Sequence, residues 1–465
     1  YFYFLLNAKS ILAGGIIGLV FLITLGYFSS DVELEYSEPA EVEPAAEVEP
    51  VDFEPGENME LNCNPEIDKD GNNVPDNLDV EGSIDWSNCN LFGLDLSNLE
   101  LSGANLSGSS LYEADISNTD LSSANLSHTQ IYKANVTNTD FTYANLSFAN
   151  LCGAYVSTFD FTGADFSHAD FDHANLSFAN LTDVTVRYTN FHDSTLTSVD
   201  LSGKDLTGTI LTKANLSNSI LTGVDLSGKD LTGTILTGAD LTDANLTGVD
   251  LSSIDLTGTI LSGVDLSGKD LTGTILTGAD LTDANLSGVN LSDKDLTGTT
   301  LSGVDLSGMD LTGTILTGAN LSDATLTGVD LSGMDLFGVV FVGVDLSGLD
   351  LTEVILTGAN LSDATLTGVN LSDKDLTGTI LAGANLSDAN LAGADVSAAY
   401  LYKAKLINAD LTKASLDGAR FSDTDFTKAN LTGANLTVGK SSWNASPINN
   451  IAITIREEGR FTEIT

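Results

Sequence analysis

The sequence predicts an all-β solenoid preceded by one transmembrane helix and an acidic stalk. Three observations carry this. An apolar residue recurs at every fifth position from Leu91 to Leu436, without insertion or deletion. An uncharged apolar run lies near the start of the chain, and a block of acid and proline separates the two.

The apolar run, residues 11–28 (ILAGGIIGLVFLITLGYF), spans about 27 Å as a helix, close to the roughly 30 Å hydrocarbon core of a bilayer. Lys9 precedes it, and Asp31, Glu33 and Glu35 follow. The positive-inside rule then expects a single-pass membrane protein with residues after 30 extracytoplasmic. A cleaved signal peptide is the competing reading, but the run is long for one and no small-x-small site follows it. Residues 1–30 are therefore expected to be an anchor.

Residues 31–60 hold twelve Asp or Glu, no Lys or Arg, and four of the seven prolines. Like charges repel, proline blocks helix and sheet, and no apolar period exists to bury. An extended, solvated stalk is expected.

Residues 61–90 carry a sharper motif. Asp68, Asp70, Asn72, Asp76 and Asp79 place side-chain oxygens at positions 1, 3, 5, 9 and 12, with the Val74 carbonyl at 7. Ca²⁺ takes six to eight hard oxygens, and this spacing wraps them around one point. The segment resembles a thrombospondin type 3 repeat (DxDGDGVPDxxD), with Asn72 replacing an Asp and Asn73 a Gly. The resemblance implies a structural Ca²⁺ that stiffens the joint between stalk and solenoid. Cys63 and Cys89 flank this segment; a disulfide between them and two free thiols are both consistent with the sequence.

From 91 to 437 each unit reads roughly A-(D/N)-L-(S/T)-G. A helix repeats every 3.6 residues and a strand every 2, so a strict five demands a chain that turns a corner once per unit. Gly after Ser/Thr supplies the backbone freedom for that corner. Stacked turns then bury the period-five residue along an axis. These A(D/N)LXX units resemble the pentapeptide-repeat family. The resemblance implies a right-handed quadrilateral β-helix with four units per coil, in which the central residue and the one two before it face inward. About seventeen coils at 4.8 Å would make a rod roughly 80 Å long.

That inner slot is small in the family, yet here it holds Lys204, Lys229, Lys269, Lys294 and Lys374, and in sister units Ile254, Met309, Met334 or Leu349. The expectation is a buried stem with the ammonium reaching out to a carboxylate. Stacking at twenty residues also expects Phe141 on Phe161, Phe171 on Phe191, and one outward column running Asp230, Asp250, Asp270, Asn290, Asp310, Asp330, Asp350, Asn370, Asn390, Asp410. Such a column is either a solvated face that prevents lateral aggregation or a collector of divalent cations. Near the N-terminal end, Tyr112 and Tyr132 with Cys152, Asp172 and His192 form one column, and His128, Phe148, His168 and Tyr188 another. Aromatic side chains in register on so polar a surface make these residues the candidate contact patch for a protein or glycan ligand. The repeat also creates N-x-S/T sequons, among them Asn105, Asn125 and Asn145. Residues 438–465 alternate apolar and polar residues around Gly459 and read as a β-hairpin, either a cap or the start of another element.

With Lys+Arg 18 against Asp+Glu 65, the formal charge is −47, which excludes direct nucleic-acid binding. No nucleophile–base pair, phosphate loop or zinc cluster is present, so no enzyme is expected. The function expected is a non-enzymatic, membrane-anchored surface scaffold displaying an acidic rod. The alternatives are a DNA mimic acting on a topoisomerase or other DNA-binding protein, since some members of the resembled family imitate an acidic duplex, and an ice- or mineral-binding rod using the Ser/Thr rows.

Overall fold

The computed structural model describes residues 84–436 and the backbone of two strands, β1 (Ile453–Glu457) and β2 (Arg460–Ile464). The expected anchor at 11–28, the stalk, the calcium-like loop and Cys63 lie outside the described residues. Strands β1 and β2 pair antiparallel with Glu457 opposite Arg460, the two-residue-loop register expected of the hairpin.

Residues 84–436 wind as a stack of coils in which residue n bridges residue n + 20 in parallel, from Asp85–Asn105 to Ser415–Asn435. Four five-residue units therefore close each coil and give it four faces. The coil has begun by Ile84, earlier than the period of leucines indicates, because Trp86 takes a central position and Ile84 and Cys89 take inner slots. Cys89 is disulfide-bonded.

Each unit is built the same way. The central residue is buried, as is the inner-slot residue two before it in most units, the larger Lys204, Met309 and Leu349 being partly buried. The residue two after the centre has positive φ in every unit, from +50° at Asp193 to +79° at Gly348. Glycine is the least strained choice there, and it fills that corner on most of the later units. The expected Phe stacks form, with centroids 5.7 Å apart for Phe141–Phe161 and for Phe171–Phe191.

Buried polar side chains in the inner slot are satisfied by main-chain carbonyls, either three residues back, as Ser219 to Leu216 (2.6 Å), or on the coil below. Thr259 Oγ1 donates to the Leu236 carbonyl at 3.0 Å, and Thr274 Oγ1 to Leu251 at 2.7 Å. Lysine in that slot does the same. Lys269 Nζ donates to the carbonyls of Leu246 (2.6 Å) and Val249 (2.8 Å), Lys229 Nζ to Thr209 (3.1 Å), and Lys294 Nζ to Leu271. This corrects the expectation of a carboxylate partner: three of the lysines turn inward along the coil edge, where main-chain acceptors are nearer. Partial burial lowers the pKa of Lys204 and Lys229 through desolvation.

The four faces are not equally laddered. The face of Asp200, Ile220 and Asp240 is bridged without a break to Arg420. The opposite face, that of the expected Asp column, has no bridge between Ile210 and Asn370. The column exists in register, but its coils are joined by backbone hydrogen bonds only at the corners, as from Ser253 N–H to the Thr272 carbonyl, and not across the face itself.

Candidate functional site

The two aromatic columns sit at the two corners of that same face, in coils before residue 200. At one corner the rings run His128–Phe148–His168–Tyr188, with centroids 4.6, 4.4 and 4.6 Å apart and planes within 9° of parallel. At the other, Phe92–Tyr112–Tyr132 stack at 5.4 and 5.7 Å. Phe92 extends a column whose periodicity already pointed to it. Lys133 Nζ reaches the Tyr112 hydroxyl at 3.2 Å and lies over both tyrosine rings, which raises its pKa.

Local geometry explains why the rings are held. His128, Phe148, His168 and Tyr188 all occupy the positive-φ corner, at 59–61°. A side chain there costs roughly 1–2 kcal/mol relative to glycine. A well-stacked ring pair returns about 0.5–1.5 kcal/mol, so the column is self-supporting only as a column. The last ring, Tyr188, covers Gly208: a Cβ on Gly208 would lie 2.1 Å from Tyr188 Cδ1. The ring faces are used up on each other, so the patch presents edges, imidazole nitrogens and hydroxyls outward. Phe148 and Tyr188 remain about half exposed. Phe148 separates His128 from His168, and among the described residues no three potential ligands gather into a metal site.

The remaining members of the second column have other partners. His192 Nδ1 meets Thr212 Oγ1 at 2.6 Å, and Asp172 lies 3.8 Å from His173 Nε2. Cys152 is a free thiol whose pKa is pushed up to about 11 by burial and by Asp170 and Asp172.

The outward Asp and Asn have a structural task that the repeat pattern did not disclose. In each, Oδ1 accepts the backbone N–H two residues on, as in Asp270–Thr272 (2.9 Å), Asp330–Ser332 (2.9 Å) and Asp350–Thr352 (2.8 Å). This is the Asx turn, and it explains why D or N recurs before the central leucine. The Ser or Thr hydroxyl bonds the same carboxylate and holds its pKa below the usual 3.8, as at Asp270, Asp310, Asp330 and Asp350. Asn then links coils: Asn145 Nδ2 donates to Asn125 and Asn125 Nδ2 to Asn105, both at 3.2 Å. These sequon amides are engaged in the ladder.

A coil stack of this period, with Asx-capped corners and a Leu/Ala core, defines a class of five-residue solenoids. The model of the family described as "Pentapeptide repeats (8 copies)" matches stretches running from residue 89 to residue 437. The chain belongs to the pentapeptide-repeat family. Among solved structures it is similar to a pentapeptide repeat protein of the Arabidopsis thaliana thylakoid lumen, at 32% identity over 22% of this chain and 67% of that one (TM-score 0.17). It is also similar to HetL, a pentapeptide repeat protein involved in heterocyst differentiation regulation in Nostoc sp. strain PCC 7120, at 22% identity over 75% and 89% (TM-score 0.11). A plasmid-mediated fluoroquinolone resistance protein matches at 16% identity over 53% and 92% (TM-score 0.15). At such TM-scores the family assignment rests on the sequence match. A comparison with curated proteins gives no significant match.

Proposed function

We propose that the chain is a non-enzymatic, membrane-anchored surface scaffold that displays an acidic repeat array for interaction or adhesion. The observation that carries this reading is how the side chains are spent. Inward residues fill the core, outward Asp and Asn cap turns, and the ring-edged strip between Phe92 and His192 is the longest run of stacked exposed rings among the described residues, with Phe337, Tyr400 and Tyr402 exposed elsewhere. A protein or glycan ligand with hydroxyl and apolar groups fits such edges. The uncharged run at 11–28 supplies the anchor and the stalk supplies reach. Asp68, Asp70, Asn72, Val74, Asp76 and Asp79 would hold a structural Ca²⁺ at the base of the array.

A second reading, mimicry of an acidic duplex toward a DNA-binding protein, is favoured by the column of ionised Asp from 230 to 350. Carbonate washing of membranes from cells making the chain separates the two. Retention in the pellet supports the anchored scaffold, and release of the intact chain to the supernatant supports the mimic.

A further inference from the structure

The loss of bridges on one face follows a rule in the inner slot. A bridge between n and n + 20 forms when the slot residue just before n + 20 is Ala, Ser or Thr, and fails when it is larger. Asp225 bridges Asn245 beside Ala244, but Asn245 does not bridge Asp265 beside Val264. Asp255 bridges Ile275 beside Thr274, but Ile275 does not bridge Asp295 beside Lys294. The exceptions are few: Val184, Val339 and Val354 keep their bridges, and Ala154 lacks one. The slot side chain points at the coil below, directly beneath the strand that must approach it, so extra methylenes hold the strands apart.

On the continuous face the slots are small, as at Ala239, Thr259, Ala279 and Thr299. On the opposite face they are large from Lys229 to Val369. The backbone N–H groups of Leu251, Leu271, Leu311 and Leu331 find no carbonyl on the next coil, whereas Leu241, Leu281, Leu301 and Leu321 do, at 2.6–2.8 Å. A cleft of about 800 Å³ opens on the unladdered side beside Gly328, Asp330, Gly348 and Asp350.

We propose that residues 205–375 form a built-in flexure: a solenoid segment hinged along its laddered face and held on the opposite one mainly by single corner hydrogen bonds, such as Gly228 N–H to the Thr247 carbonyl (2.8 Å) and Ser253 N–H to Thr272 (2.9 Å), so that it opens and closes more readily there. Coils before 205 and after 375 are joined on nearly every face and act as stiff ends. The segment bends in one plane, because only one pair of opposite faces differs consistently. Lys229 and Lys269 keep the seam from collapsing or fraying by donating to Thr209 and Val249, carbonyls that a ladder N–H would otherwise occupy.

The test is residue-resolved amide exchange on the full chain and on the variant Val249→Ala/Val289→Ala/Val329→Ala/Val369→Ala, with electron microscopy of both. In the native chain the Leu251, Leu271, Leu311 and Leu331 amides should exchange about tenfold or more faster than Leu241, Leu281, Leu301 and Leu321. The variant should gain protection at Leu231, Leu271, Leu311 and Leu351, but not at Leu251 or Leu331, which face Lys269 and Leu349. Its images should show straighter arrays. Equal protection of the two faces in the native chain overturns the proposal without any variant. Unchanged exchange and curvature in a folded variant overturn it as well.

Discussion

Lys269 Nζ lies 2.8 Å from the carbonyl oxygen of Val249, where on the opposite face the same kind of oxygen, that of Thr259, accepts the backbone N–H of Asp280. A side chain thus replaces a ladder hydrogen bond at the point where the ladder is missing. Replacing Lys269 by Met, the residue that Met309 and Met334 show to fit the slot, leaves the carbonyls of Val249 and Leu246 without this donor. The expected cost is about 1–3 kcal/mol, and Lys269→Thr should recover it by restoring the bond to Leu246 and by admitting the ladder bond from Asp270 N–H to Val249. Urea unfolding of the three proteins checks that Met is the least stable.

Phe148 combines an unfavourable φ with two ring contacts, so its substitutions should rank unusually. Phe148→Ala loses both stacks and keeps the positive φ, while Phe148→Gly loses the stacks and relieves the backbone by roughly 1 kcal/mol. Thermal unfolding should therefore place Gly above Ala, with native Phe highest.

Gly208 and Gly203 share a positive φ but differ in surroundings. Nothing lies within 4 Å of a Cβ built on Gly203, whereas Tyr188 blocks one on Gly208. Gly203→Ala should cost only backbone strain, about 1 kcal/mol. Gly208→Ala should also displace the Tyr188 ring, which a shift in tyrosine fluorescence or in the Tyr188 ring proton signals would report.

The Asx carboxylates set an acid limit. Asp270, Asp310, Asp330 and Asp350 have folded-state pKa values lowered below 3.8, first through the hydroxyl of the Ser or Thr two residues on. A lowered folded pKa means the unfolded chain binds protons first, so their contribution is complete above 3.8 and is lost as pH falls through the folded values. The melting temperature should hold steady down to about pH 5 and drop below about pH 4. A rise on acidification through that window would contradict the assignment.

The period of five was legible because the sequence displays it from Leu91 to Leu436; the four-unit coil, and with it the aromatic columns at twenty, was what the resemblance implied. The pairing of the coils was not legible. It depends on a second signal carried by one slot in five, where Ala244 and Val264 differ by two methyl groups yet decide whether a bridge forms. The lysines misled for a related reason: KDL places a carboxylate next in sequence, but Asp270 is committed to the Thr272 N–H, and the nearer acceptors belong to a coil twenty residues away. The use of ring faces within the His128–Tyr188 column likewise lies outside the pattern, since spacing fixes which rings meet but not which way they face.

The central functional claim, that the array stands outside the membrane on residues 11–28, is tested most directly by protease shaving of intact cells carrying the chain with a tag after Thr465. The account predicts loss of the tag signal without lysis. A tag protected in intact cells and lost only after lysis would contradict it and place the acidic array among DNA-binding proteins instead.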